Sequence, residues 1–173
     1  AMSCDKAIQV FPAPKQVVIP MSQHIGAPAK PLVAKGDHVL KGQIIAEAGG
    51  FISANVLSSV SGTVKGIESK LVANGAMVQS ILVENDGEEE AIEGFGTDRD
   101  ASKLSKEEIR QIVKDAGIVG LGGAGFPTHV KLTPKDENAI DYVIVNGAEC
   151  EPYLTSDYRT MIERPEQIIG GLK

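Results

Sequence analysis

Apolar positions in the first half of the chain come in short runs separated by turn residues. The runs at 16–19, 39–40, 44–46, 62–67 and 77–84 have little helical periodicity and are flanked by Gly, Pro, Asn and Asp. Residues 8 to about 85 are therefore expected to form an all-β unit of short strands. The texture changes at 104, where Ile109, Ile112, Val113 and Ala116 recur at helical spacing and predict a helix over 104–116. Ser105 and Glu108 supply a capping box at its start, and Gly117 a C-cap. A short helix is expected near 127–132, stopped by Thr133-Pro134. The continuous apolar run in DYVIVN, 141–146, reads as a buried strand. Further helices are expected over 156–162 and from Pro165 onward.

Between the two textures, NDGEEEAIEGFGTDRDASK at 85–103 is polar and acidic. It suits a linker or edge loop, with Glu88, Glu89 and Glu90 as a solvated face. The expected division is a β domain over 1–86, an acidic linker over 87–103, and the start of an α/β domain over 104–173. The last of these has too few strands and helices to close a core alone. It reads as the first part of a longer domain, and Ala1 before Met2 reads as an added residue.

Within the β unit, VAKGDHVLKGQII at 33–45 is followed by SSVSGTV at 58–64. This pairing resembles the barrel-sandwich fold of biotinyl and lipoyl carrier domains, which present a modifiable lysine at the hairpin between two halves. Here the hairpin reads EAGGFISA, 47–54, and holds no lysine. The resemblance implies the fold without the carrier function, so the fold class expected is mixed α+β, with a barrel-sandwich hybrid leading into an α/β domain.

Charge and composition narrow the function classes. A net charge of −6 argues against nucleic acid, which needs a basic stripe. No apolar run approaches a membrane span, and no signal-peptide pattern opens the chain, so direct membrane insertion is not expected. The 2 cysteines, Cys4 and Cys150, set no disulfide framework and cannot supply four thiolates for an iron–sulfur cluster. Cys150 lies between Glu149 and Glu151, whose charges oppose thiolate formation. His24, His38 and His129 have no metal-ligand spacing, and no metal site is expected.

The densest chemistry lies in GIVGLGGAGFPTHVK, 117–131, with five glycines in its first nine residues. Successive N–H groups of such a loop can form an anion-binding concavity, reinforced by a helix starting at Pro127. Lys131 would sit about one turn into that helix, within reach of a phosphate or ring carbonyl. Gly120, Gly122 and Gly125 satisfy G-x-G-x-x-G, but that fingerprint needs a strand before the loop, and here a helix feeds it. A second dense segment, NGAECEP at 146–152, follows the apolar run. Each feature also has a plain structural reading: a tight turn for the loop, a strand-ending turn at Asn146-Gly147, rim charges at Glu149 and Glu151, and core packing for Phe126.

Three segments together resemble one family. PMSQHIGAPAKP at 20–31, GIVGLGGAGFPTHVK and NGAECEPYLTSDYR at 146–159 look like the RnfC family of the Rnf electron-transport complex, nearly end to end. The second domain in that family is similar to the flavin-bearing subunit of respiratory complex I. By position, the resemblance implies FMN contacts from Gly122, Gly123, Gly125, Lys131 and Asn146. Phe126, Glu149 and Glu151 would face NADH. No residue would be catalytic in its own right, because the flavin performs the hydride transfer. The chain departs from the complex I pattern at Val119 and Leu121, where arginines stand, after the lysine at Leu132, Thr133 and Pro134, where aromatics stand, and at Ala148, where an aspartate stands. His24 lies in the most family-specific segment, with packing or an interdomain contact as its expected role.

The resemblance further implies an NADH-oxidising flavoprotein subunit of an ion-translocating complex. It would be peripheral, on the cytoplasmic face of the cell membrane, and bound through partner subunits. Iron–sulfur clusters would lie beyond Lys173, leaving these residues alone inactive. A cobalamin reductase with a similar flavin domain and a non-enzymatic docking module are the rival readings.

Overall fold

A computed structural model describes residues 2–122 and 124–173, so Gly123, among the expected flavin contacts, and Ala1 lie outside the described residues. The chain divides into two compact units, Ala13–Lys135 and Ala1–Pro12 with Asp136–Lys173.

Among its described residues the first unit has seven strands: β1 Gln16–Pro20, β2 Lys30–Pro31, β3 His38–Val39, β4 Ile44–Glu47, β5 Val56–Leu57, β6 Gly62–Leu71 and β7 Met77–Asn85. They form an antiparallel four-stranded sheet in the order β1-β7-β6-β3 and an antiparallel three-stranded sheet in the order β2-β4-β5. β7 lies between β1 and β6, and Ser80, Ile81, Leu82 and Val83 are buried in succession. A strand covered on both faces has no reason to alternate, which is why its sequence reads as a continuous apolar run. Ile19, Met21, Val39, Ile45, Val56, Val64, Ile81 and Val83 meet in one core drawn from both sheets. The short strands anticipated from the turn signals are present. β2 and β5, of two residues each, were not foreseen.

Glu88, Glu89 and Glu90 are exposed, as a solvated face requires, while bonds from their neighbourhood tie the segment to the barrel. The Asp86 carboxylate accepts from the Ser61 hydroxyl at 2.6 Å, the Glu88 N–H at 2.9 Å and His38 Nε2 at 3.1 Å. These bonds, Ser61 first, hold its pKa below the ordinary aspartate value. Glu89 pairs with Lys41, and the Glu90 N–H donates to Ser61 Oγ at 3.1 Å. The Phe95 ring covers Gly42, where a Cβ would stand 2.5 Å from Cδ2. The segment is thus fastened to the barrel through Asp86, Glu89 and the Glu90 backbone while its acidic side chains face water.

Helix α1, Lys106–Asp115, begins as its sequence predicts. Ser105 Oγ accepts from the Glu108 N–H at 3.2 Å, and Glu108 returns a bond to the Ser105 N–H at 2.8 Å. It ends with Gly117 N–H on Lys114 O at 3.0 Å and Ile118 N–H on Val113 O at 3.2 Å, a Schellman pair with Gly117 at φ +63°. Helix α2, Thr128–Lys131, is one turn long, and its last carbonyls are held where Arg110 Nε donates to Leu132 O at 2.7 Å.

The second unit carries α3, Ser156–Glu163, and α4, Pro165–Leu172, both near their expected positions. Glu163 ties it to its own N-terminal stretch by accepting the Ile8 N–H at 2.9 Å, and Arg159 donates to Cys4 O at 3.1 Å. The buried strand expected over 141–146 is not formed. Those residues pair with no strand among the described residues, and Tyr142, Val143, Ile144 and Val145 are exposed. A strand needs neighbours for its N–H and C=O groups and for its faces, and this apolar run has neither.

Candidate flavin-phosphate loop

The glycine loop leaves α1 through Gly117 and returns into α2 as a closed excursion. Gly120 N–H donates to Phe126 O at 2.9 Å and Thr128 N–H to Ile118 O at 2.9 Å, so Val119 and Pro127 face each other across its base. Both ends rest on the barrel. At Gly117 a Cβ would meet Asn55 O at 2.4 Å; at Gly125, φ +59°, it would meet Gln23 O at 2.9 Å and His24 Cα at 3.3 Å. Only glycine allows so close a backbone approach with a positive φ. The Ile25 N–H fastens the loop by donating to Ala124 O at 2.9 Å.

Above this floor lies a cleft of about 580 Å³, walled by residues 22–25 and 72–74 of the barrel and by residues 119–122, 124 and 125 of the loop. Among the described residues, the N–H groups of Leu121, Gly122 and Ala124 have no acceptor. The Lys131 ammonium reaches back over the loop, where a Cβ on Gly120 would stand 3.1 Å from Nζ. Open amides beside an ammonium form a donor set suited to a phosphate. This arrangement fits the phosphate end of FMN.

The structure brings Gly122, Gly125, Phe126 and Lys131 together within the first unit. Phe126 is half-buried, and its carbonyl holds the base of the loop. Asn146, Glu149 and Glu151 belong to the other unit. Asn146 Oδ1 accepts the Ala148 N–H at 3.0 Å, as an Asx turn does. Glu149 caps α3, accepting the Tyr158 N–H at 3.0 Å and the Ser156 hydroxyl at 3.4 Å, a role its sequence position did not reveal. Glu151 is exposed. The barrel walls also escaped the sequence reading; the Asn74-Gly75 turn and the 20–31 motif were their only traces. For His129, burial first and then the Lys114 ammonium lower the pKa, and its buried Nδ1 has no partner among the described residues.

Two family models match. The RnfC barrel sandwich hybrid domain covers residues 1–88, and the Nuo51 FMN-binding domain covers residues 113–173. The chain belongs to the RnfC family. It is 47% identical over 171 residues to the C subunit of the proton-translocating ferredoxin:NAD(+) oxidoreductase complex of Clostridium ljungdahlii, covering 99% of this chain and 37% of that protein. The Na(+)-translocating counterpart of Acetobacterium woodii is 47% identical over 163 residues, covering 92% and 36%. The C subunit of the ion-translocating oxidoreductase complex of Rhodobacter capsulatus is 43% identical over 167 residues, covering 95% and 32%. This RnfC chain thus spans about a third of the length of these curated relatives. Among its described residues no helix is long and apolar enough to cross a membrane, and no cluster of His, Cys, Asp or Glu could hold a metal ion.

Proposed function

We propose that these residues supply the flavin-phosphate loop of an NADH-oxidising, FMN-binding subunit in an ion-translocating ferredoxin:NAD+ oxidoreductase complex. The observation that carries this reading is the Lys131 ammonium lying over a glycine loop whose Leu121, Gly122 and Ala124 amides have no acceptor among the described residues. The match of the FMN-binding family model to residues 113–173 and the names of the relatives support it. They favour the Rnf reading over the cobalamin reductase and the docking module.

The amides at 121–124 would bind the phosphate, and Lys131 would balance its charge and orient it. When bound, FMN accepts a hydride from NADH and passes electrons on singly. We place Gly123 with the phosphate as well, Asn146 with the flavin, and Phe126, Glu149 and Glu151 with the nicotinamide nucleotide. Glu149 can accept a ribose hydroxyl while keeping the Tyr158 N–H, because a carboxylate has lone pairs to spare. The division into a barrel over 1–86, a connector over 87–103 and a flavin domain from 104 is part of the same proposal. So is a peripheral position on the cytoplasmic face through partner subunits. Residues 1–173 alone would be inactive, because 2 cysteines cannot ligate the clusters that carry electrons onward.

The test is flavin content and NADH bleaching of the full-length parent protein beside its Lys131→Ala variant. Bound FMN that NADH bleaches, and that the variant loses, supports the reading. A folded full-length protein that takes up no FMN refutes it and favours the docking module.

A further inference from the structure

We infer that His24 is a positioning residue for the glycine loop. The two ends of the loop rest on separate stretches of the barrel: Gly125 on Gln23 and His24, Gly117 on Asn55 and Leu57. The His24 ring joins those stretches. Its Nε2 accepts the buried Ala54 N–H at 3.1 Å, and its Nδ1 donates to Ile25 O at 3.0 Å, which fixes the tautomer. The seam continues away from the loop, where Ala27 N–H donates to Ile52 O at 3.0 Å and the Ser53 hydroxyl to Ala27 O at 2.8 Å.

Ile25 is the point of transmission. Its N–H holds Ala124 of the loop, and its carbonyl steadies the His24 ring so that Nε2 meets the Ala54 N–H across the seam. His24 is 9% exposed and meets the loop at its own backbone, so the ring acts through Ile25 rather than on a ligand. Loss of Nε2 strands the Ala54 N–H in a buried site and frees 23–25 to move relative to 53–55. The loop then loses the floor that fixes the spacing of its open amides. His24 thereby sets the shape of the anion site from beneath, which explains its place in the 20–31 motif without a role in the chemistry.

The test uses the full-length parent protein with His24→Gln, whose amide oxygen keeps an acceptor for the Ala54 N–H across the seam although the Nδ1 donor is lost, and His24→Asn, which keeps a donor near the Nδ1 position but is too short to reach Ala54. Hydrogen exchange at the Ile25 amide reads loop docking without any ligand, and exchange in β6 and β7 reads barrel folding. FMN affinity, which rests on the function proposed above, is the second readout. His24→Asn is expected to speed Ile25 exchange and weaken FMN by about tenfold each, with His24→Gln within about threefold of wild type and the β6–β7 amides unchanged in both. Wild-type Ile25 exchange in His24→Asn, or equal impairment in both variants, overturns the inference. If His24→Asn unfolds the barrel, His24→Gln decides alone: retained Ile25 protection supports the inference and lost protection overturns it. A wild-type protein that takes up no FMN sinks the flavin reading and leaves exchange to judge His24.

Discussion

The runs MVQSILVEN, 77–85, and DYVIVN, 141–146, share a chemistry of β-branched and aliphatic residues ending in asparagine. The first becomes β7, paired on both edges and buried at its centre. The second stays extended, unpaired among the described residues and exposed. A strand is thus a relation between segments, and apolar composition supplies only the willingness to enter one. The glycine loop falls on the ordered side of this divide. Part of the FMN-binding family match, it nevertheless belongs to the compact unit built on the barrel.

The contrast breaks most sharply in paired truncations. Ile81→Ala, at a fully buried position, is expected to destabilise the barrel by about 2–5 kcal/mol in chemical denaturation. Ile144→Ala, at a side chain 84% exposed, should change stability by less than about 0.5 kcal/mol in residues 1–173. A large loss at Ile144 would show that the run is packed in solution.

The seam between loop and barrel comes next. Gly117→Ala combines a φ of +63° with a Cβ 2.4 Å from Asn55 O, and should cost about 1–3 kcal/mol, read as a lowered Tm. Full-length protein carrying it should also lose flavin. Smaller still is the cap of α1: Ser105→Ala is expected to cost about 1 kcal/mol and to leave exchange in β6 and β7 unchanged.

The smallest effect is a pH dependence. The folded pKa of Asp86 lies below its ordinary 3.8, so the bonds it accepts stabilise the fold above that value and are lost as pH falls through the lower one. Acid titration should show wild type losing its advantage over Asp86→Asn below about pH 4. A difference that grows on acidification would contradict the sign.

Local devices were legible in the sequence. The Ser105–Glu108 box, the Gly117 cap and the base of the glycine loop each rest on bonds between near neighbours, and all three appear where the residues place them. What escaped depends on distant partners. β2 and β5 are two-residue pairings with no run of their own. The hold of Asp86 on Ser61 and His38 spans 25 and 48 residues. The capping of α3 by Glu149 spans the whole turn before the helix. The His24 seam joins positions 30 apart.

The central claim is that the loop and Lys131 bind the phosphate of FMN. Its most direct test compares FMN with riboflavin, which lacks that phosphate, on full-length wild-type and Lys131→Ala protein by flavin fluorescence. Wild type should bind FMN at least about tenfold tighter than riboflavin, and the variant should lose most of that preference. Equal affinity of wild type for the two flavins, or a preference that Lys131→Ala leaves intact, would contradict the account.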